Sequence, residues 1–207
     1  MKTANSLAEL AQEVDSYGHH SADYFERMMH KIPHAPVVDR TKFILEKCKN
    51  KRVVNFGSAW GMLHGDIKSV AAMTFGVDKV EPADLIVDLD DEFAPLNELP
   101  AAIDVYVCGE IIEHLANPGL FLKKLRKAMN SGGEKDARLI VTVPNALASV
   151  LQYHARRGML NVNEDHCFWF CWKTLQTLLS RYGFIIEERA CYEGRPVFSE
   201  GLIAVAR

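Results

Sequence analysis

The chain has 207 residues, with 24 Lys and Arg against 27 Asp and Glu, a formal net charge of −3, and 48% hydrophobic residues. A chain of this length and composition buries a sizeable core as one globular domain, which excludes disorder as its main state. The charge balance excludes a global positive field that would hold nucleic acid. Apolar runs such as Leu139-Ile140-Val141 are far shorter than the ~20 residues that cross a bilayer.

The N-terminus and the cysteines bear on the cellular compartment. Acidic residues occur within the first sixteen residues, MKTANSLAELAQEVDS, where a signal peptide would carry its apolar core. The five cysteines, at positions 48, 108, 167, 171 and 191, are odd in number and form no Cys-x-x-Cys pair. We therefore expect a cytoplasmic protein with reduced thiols.

Residues 1–46 show helical periodicity and predict a helical cap or lid ahead of a domain over residues 47–207. The prediction rests on two sets of apolar residues at helical spacing: Leu7, Leu10, Ala11 and Val14, then Tyr24, Phe25, Met28 and Met29. A break follows at residues 32–36. A further helix is predicted from Asp39 to about Lys49.

Strands and helices alternate from residue 52 onward. Strands are predicted at residues 52–56, 73–77, 85–88, 103–107, 138–143, 184–188 and 202–206, and helices at residues 64–72, 117–131 and 173–182. This alternation predicts an α/β fold, in which helices cover both faces of a mostly parallel sheet. Ligands bind such sheets at the carboxyl ends of the strands.

The first candidate site is the turn after residues 52–56. It reads Asn55-Phe56-Gly57-Ser58-Ala59-Trp60-Gly61, and its small residues allow the backbone to approach a ligand closely. A dinucleotide fingerprint does not fit, because Ala59 and Met62 stand where it needs glycine. Asp78 ends the next strand 21 residues after Gly57, where a carboxylate would meet the two hydroxyls of a ribose.

Taken together, these motifs resemble class I S-adenosylmethionine-dependent methyltransferases. The resemblance covers about residues 50–207 in order, and it rests on residues 53–61, Gly76-Val77-Asp78, residues 103–118, Gly132-Gly133, residues 141–145, His166-Cys167-Phe168-Trp169-Phe170 and Tyr182-Gly183-Phe184. It implies a Rossmann-like sheet of seven strands, one of them antiparallel near the edge.

The resemblance also implies residues for cofactor binding. The loop with Asn55, Gly57, Ser58, Ala59 and Gly61 would hold the methionine part of S-adenosylmethionine, and Asp78 the ribose. Asp88 and Leu89 would contact the adenine, and the residues Cys108, Gly109 and Glu110 would line the methyl-transfer site. The chain departs from the family at Asn55, usually an acid, at Ala59, usually a second glycine, and at Trp60, usually small. The segment at residues 80–83 is also too short for the usual helix.

The second candidate site is Glu110-x-x-Glu113-His114 together with His166. If the segment after Val107 forms a helix, Glu110, Glu113 and His114 share one face. The four side chains could then hold Mg²⁺ or Mn²⁺, as in the similar metal-dependent small-RNA 3′-terminal 2′-O-methyltransferases. Part of the pattern also resembles ubiquinone-pathway O-methyltransferases. Alternatively, His114 or His166 is a general base without metal.

We therefore expect transfer of a methyl group from S-adenosylmethionine to an oxygen, or as second choice a nitrogen, of a small metabolite. His114 would be the base, and Glu110 and Glu113 would orient it, bind the acceptor or ligate metal. Two alternatives stay open: a non-catalytic protein that senses the cofactor or binds a partner, and a metal-dependent RNA 2′-O-methyltransferase. We expect a small-molecule acceptor, no nucleic acid and no membrane, and we leave a homodimer open.

Overall fold

The computed structural model describes residues 29–59, 61–91 and 94–207, and a compact unit spans His34–Arg207. Its strands are β1 (Val37–Val38), β2 (Arg52–Phe56), β3 (Met73–Asp78), β4 (Leu85–Ile86), β5 (Ile103–Gly109), β6 (Gly133–Pro144), β7 (Ile186–Tyr192) and β8 (Gly201–Ala206). Its helices, in the described residues, are α1 (Arg40–Cys48), α2 (Met62–Val70), α3 (Pro118–Gly132), α4 (Ser149–Ala155) and α5 (Trp172–Arg181). A 3-10 turn at Leu96–Glu98 precedes β5.

The eight strands form one sheet in the order β1-β7-β8-β6-β5-β2-β3-β4. All neighbours are parallel except β8, which is antiparallel to β6 and β7. From β2 the chain moves outward through β3 to β4, and it then returns to the other side of β2 for β5 and β6. The strand order therefore reverses between β2 and β5, and this switch point is where open α/β sheets bind ligands.

Two hydrophobic layers cover the sheet, as the alternation of strands and helices predicts. Phe121 and Leu125 of α3 and Leu175 of α5 are buried on one face. Ile44 of α1 and Ile67 of α2 are buried on the other face. The predicted α/β fold with helices on both faces is confirmed. The expected count of seven strands is one too low, because β1 is a two-residue edge strand beside β7, too short to show a period in the sequence.

Most predicted elements lie where the sequence places them, with shifted ends. β2 matches its predicted bounds, and α5 ends before Gly183, whose φ of 80° is the left-handed conformation that stops a helix. β6 begins five residues before its predicted start, β7 runs four residues further than predicted, and α4 was not predicted. Residues 79–84 contain no helix, as the short spacing predicts.

The predicted cap at residues 1–46 stays a prediction, because its first 28 residues lie outside the described residues. Residues 29–33 form no helix or strand. The predicted boundary after residue 46 falls inside α1, where Ile44 and Cys48 are buried in the compact unit.

In the described part of the chain, no helix combines the length and apolar character needed to cross a membrane.

The start of α3 generates a first prediction. The Asn117 Oδ1 atom accepts a hydrogen bond from the Leu120 N–H at 3.0 Å, and the Asp90 carboxylate accepts from the N–H groups of Ala116 and Asn117. Asn117→Ala should lower the free energy of unfolding by about 1 kcal/mol, because a helix cap is lost. Thermal unfolding should show a fall of about 2–4 °C in Tm.

Asn130 provides the matched control, because it is an exposed asparagine on the same helix. Asn130→Ala should leave Tm nearly unchanged. Equal losses in the two variants would contradict the assignment of Asn117 as the cap.

Candidate active site

The turn after β2 is the first part of the site. Gly57 has φ 74°, which glycine adopts at low cost, and the N–H groups of Gly57 and Ser58 donate to the Val77 carbonyl oxygen at 2.8 and 3.3 Å. A Cβ atom on Gly57 would lie 2.2 Å from Cδ1 of Ile111, in the loop after β5. The turn therefore needs glycine both for its backbone conformation and for its close approach to that loop.

Asp78 ends β3 and joins this turn through its carboxylate. The Asp78 Oδ2 atom accepts from the Ala59 N–H at 2.9 Å, and Oδ1 accepts from the Lys79 N–H at 2.7 Å. Both bonds fix the orientation of the carboxylate at the carboxyl ends of β2 and β3. Each carboxylate oxygen has a further lone pair, so both can accept ligand hydroxyls as well.

Asn55 and Ser58 are buried beside His64 of α2. The Asn55 Nδ2 atom lies 3.4 Å from His64 Nδ1, and burial lowers the pKa of His64, which favours the neutral imidazole that accepts from an amide. The Asn55 Oδ1 and Ser58 Oγ atoms are buried without a hydrogen-bond partner in the described part of the chain. Two such atoms at a strand end fit a site that bonds a polar ligand or water.

The other residues predicted to bind the cofactor differ in burial and in their place in the fold. Gly61 is the N-cap residue of α2, and the exposed Asp88 follows β4 and accepts from the Asp90 N–H at 3.0 Å. Leu89 and Cys108 are buried in the hydrophobic core, and burial raises the pKa of the Cys108 thiol. Gly109 ends β5, where a Cβ atom would lie 2.9 Å from the Arg40 guanidinium. The roles of these residues in binding stay predictions.

The segment after Val107 does not form the helix that would place Glu110, Glu113 and His114 on one face. β5 continues to Gly109, and Glu110 adopts φ 56° while its N–H donates to the Thr142 carbonyl oxygen at 3.0 Å. Residues 112–114 then form a turn, which the bond from the His114 N–H to the Ile111 carbonyl oxygen closes. The helix starts only at Pro118, because the caps that begin it lie at Asp90 and Asn117.

Glu113 is the centre of the second part of the site. It is fully buried, and neither carboxylate oxygen has a hydrogen-bond partner among the described residues. Its carbonyl oxygen accepts from the N–H groups of Cys167 and Phe168 at 2.8 and 3.0 Å, which holds the loop of His166 beside it. The His114 Nε2 atom lies 4.0 Å from Glu113 Oε1, and the ring centroids of His114 and His166 are 4.6 Å apart.

This environment changes the titration of Glu113 and His166. Burial, and then the nearby Glu110 carboxylate, raises the pKa of Glu113 to about 8. Burial, and then His114, lowers the pKa of His166. At neutral pH Glu113 is therefore mostly protonated and His166 is neutral, a combination in which an imidazole can accept a proton.

Three of the four predicted metal ligands come together. Ligand atoms of Glu113, His114 and His166 lie within 4.8 Å of one another, and Glu110 lies outside this cluster. The Glu110 Oε1 atom instead accepts from the Thr142 hydroxyl at 2.7 Å and from the Tyr192 hydroxyl at 2.8 Å.

Sequence reasoning missed the groups that hold Glu110. Arg40 Nε donates to Thr142 Oγ1 at 3.1 Å, and its guanidinium lies over the Tyr192 ring. Burial, and then the Glu110 carboxylate, raises the pKa of Tyr192, so its hydroxyl stays a donor. These residues are far apart in the chain and form no local motif, so the sequence carries no signal for them.

A mostly parallel sheet with one antiparallel strand, a glycine turn after β2 and an acid at the end of β3 fits the class I S-adenosylmethionine-dependent methyltransferases. A methyltransferase domain family matches residues 23–189, and the chain belongs to this family. The match covers most of the chain and agrees with the identification that the sequence motifs indicate. The chain is thus an S-adenosylmethionine-dependent methyltransferase by family.

Solved structures of low sequence identity share the fold. A SAM-dependent methyltransferase from Archaeoglobus fulgidus is 16% identical with a TM-score of 0.58, and the match covers 81% of this chain and 90% of that one. Magnesium protoporphyrin IX methyltransferase from Synechocystis PCC 6803, with bound SAH, is 15% identical with a TM-score of 0.55, covering 95% and 97%. The small RNA methyltransferase HEN1 is 18% identical with a TM-score of 0.59, covering 86% of this chain, which spans only 27% of HEN1. No curated protein matches significantly.

Asp78 generates the second prediction. Asp78→Ala should weaken the binding of S-adenosylmethionine by about ten- to a hundredfold, because hydrogen bonds to a charged group contribute roughly 1.5–3 kcal/mol. Isothermal titration calorimetry measures this change. Asp66→Ala, at an exposed position on α2, is the control and should bind as the wild type does. Unchanged affinity in a folded Asp78 variant would contradict the ribose assignment.

Glu113 generates the third prediction, on stability against pH. The ordinary pKa is 4.5 and the folded value is about 8, so between these pH values the folded state keeps a proton that the unfolded state has released. The free energy of unfolding therefore falls as pH rises through this window. Glu113→Gln should remove that loss, with little effect near pH 4.5 and a stabilisation of a few kcal/mol near pH 8.

Denaturant unfolding in the presence of a chelator measures this difference. Glu46→Gln, on the exposed side of α1, should show no such pH dependence. A Glu113→Gln effect of equal size at both ends of the window would show that Glu113 does not carry the buried proton.

Proposed function

We propose that this methyltransferase transfers the methyl group of S-adenosylmethionine to a hydroxyl of a small metabolite, with His114 as general base. The observation that carries the proposal is the pair of His114 and the buried Glu113, 4.0 Å apart after the carboxyl end of β5. This pair stands across the switch point from the Gly57 turn and Asp78. An acceptor between the two parts of the site would have a base on one side and the methyl donor on the other.

The residues of the first part of the site, the turn after β2 and Asp78, fit S-adenosylmethionine. Asp78 offers a fixed carboxylate for two ribose hydroxyls, and Asn55 Oδ1 and Ser58 Oγ are buried polar atoms that lack partners in the described residues. The bound cofactor supplies a methyl group that its sulfonium charge already activates. The chain therefore needs to hold the acceptor in line, exclude water and take up the hydroxyl proton.

His114 is suited to take up that proton. Its side chain is partly exposed, so an acceptor can reach it, whereas Glu113 is fully buried behind it. The Glu113 carboxyl group, whose Oε1 atom lies 4.0 Å from His114 Nε2, would hold the imidazole in place. Glu110, fixed by Thr142 and Tyr192, supplies negative charge near the cluster without contacting it.

A second candidate function is metal-dependent 2′-O-methylation of RNA. The specific observation in its favour is the cluster of Glu113, His114 and His166, whose ligand atoms lie within 4.8 Å of one another. One carboxylate and two imidazoles suit Mn²⁺ better than Mg²⁺, which prefers oxygen ligands. The similarity to HEN1 adds fold-level support, whereas the net charge of −3 opposes binding of a polyanion. We place this function second.

His114 generates the fourth prediction. His114→Ala should lower kcat by about 10²–10⁴-fold, because the general base is lost, and should leave the affinity for S-adenosylmethionine nearly unchanged. The measurement is methyl transfer together with a calorimetric titration of the cofactor. His34→Ala, an exposed histidine in the same unit, is the control and should keep full activity.

A chelator separates the two candidate functions. We expect wild-type activity to persist in EDTA, as a metal-free base requires. Activity that disappears in EDTA and returns with Mn²⁺ would favour the metal-dependent function. Full activity of His114→Ala in EDTA would contradict both roles for this residue.

A further inference from the structure

A small cavity lies beside the second part of the site. Its volume is about 150 Å³, and its walls come from the end of β6, from α4, from residues 161–169 and from Glu200 before β8. His166 and Trp169 line it, and the His166 ring is stacked edge-on against His114. The cavity is therefore next to the proposed base and has room for one ring-sized group rather than a stretch of polymer.

The charge of the cavity wall selects against an anionic ligand. Among the described residues that line it there is no Lys or Arg, and Glu200 is an acid. A phosphate or carboxylate would lose its hydration without gaining an opposite charge, which is unfavourable.

The polar groups of the wall have free hydrogen-bonding capacity. Within the described part of the chain, the exposed Asn161 amide and the Glu200 carboxylate form no hydrogen bond to another protein group. The exposed Asn163 amide uses only its oxygen, which accepts from the Asp165 N–H at 3.1 Å. Asn145 differs, because its amide already bonds the Ser199 carbonyl oxygen and the Leu147 N–H. Two amides and a carboxylate offer donors and acceptors for several hydroxyls at once.

Trp169 supplies an apolar surface at the same cavity. Its side chain is 37% exposed, and its ring lies edge-on to His166 with centroids 6.1 Å apart. An indole face binds an apolar ring face and leaves the polar edge of the ligand to neighbouring amides and carboxylates. A pyranose ring, with an apolar face and several hydroxyls at its edge, uses both kinds of group.

We infer that this cavity binds a neutral, polyhydroxylated ring, and that the methyl acceptor is a glycosyl unit which presents one hydroxyl to His114. The inference rests on the proposed function and names its substrate class. The acceptor oxygen bonds to the methyl carbon as the carbon–sulfur bond breaks. The electron pair of that bond stays on sulfur, which becomes a neutral thioether, and the hydroxyl proton passes to His114.

The test is methyl transfer from radiolabelled S-adenosylmethionine by the full chain to three kinds of probe. These are neutral methyl glycosides of hexoses, 6-deoxyhexoses and N-acetylhexosamines, then catechol, then a small RNA with a free 3′ end. We expect transfer to a glycoside. Trp169→Ala should raise the KM for that glycoside about tenfold or more, and Trp169→Phe should retain most of the affinity.

Phe168→Ala is the matched control, because Phe168 is 39% exposed beside Trp169 but does not line the cavity. It should leave KM unchanged, and all three variants should bind S-adenosylmethionine as the wild type does. Transfer to catechol or RNA without transfer to any glycoside would overturn the glycosyl assignment and leave the methyltransferase function standing. Absence of transfer to all probes, with the cofactor bound, would also overturn it. Failure to bind the cofactor would instead overturn the proposed function itself.

Discussion

The buried carboxyl group of Glu113 is the constraint around which the site is arranged. An unpartnered polar group in the interior costs about 1–3 kcal/mol, so its presence there needs a reason beyond stability. The carbonyl oxygen of the same residue accepts the N–H groups of Cys167 and Phe168. Through this main-chain oxygen, Glu113 joins the loop after β5 to the loop that carries His166 and Trp169. The proposed base is thereby held near the cavity that we propose for the acceptor.

The topology divides the carboxyl edge of the sheet into two halves, β2 with β3 and β5 with β6, for which we propose different roles. β2 and β3 carry the Gly57 turn and Asp78, whose hydrogen bonds fix the carboxylate that we propose binds the cofactor ribose. β5 and β6 carry the acid and imidazole groups and one wall of the cavity. Because the chain reverses its strand order between β2 and β5, the two halves lie on either side of the switch point at which open α/β sheets bind ligands. Methyl transfer needs this arrangement, in which donor and acceptor are aligned and water is excluded.

Short patterns in the sequence, such as apolar runs and helix caps, predict much of this architecture. The features that they do not predict depend on contacts between residues far apart in the chain. β2 follows from a short buried apolar run, α3 from its cap at Asn117, and the place of Asp78 from the end of a strand. The segment after Val107 is not helical, because Glu110 turns toward Thr142 of β6. Glu110 and Thr142 are 32 positions apart in the chain, and Glu110 and Tyr192 are 82 positions apart. No local periodicity in the sequence indicates contacts between residues so far apart.

A crystal structure of the chain with S-adenosylhomocysteine tests the central claim most directly, because it locates both halves of the site at once. The account predicts the ribose hydroxyls within hydrogen-bond distance of the Asp78 carboxylate. It also predicts the sulfur facing the crevice in front of His114, with the cavity at Trp169 left open to an acceptor. S-adenosylhomocysteine bound away from Asp78, or a sulfur directed away from His114, would contradict it.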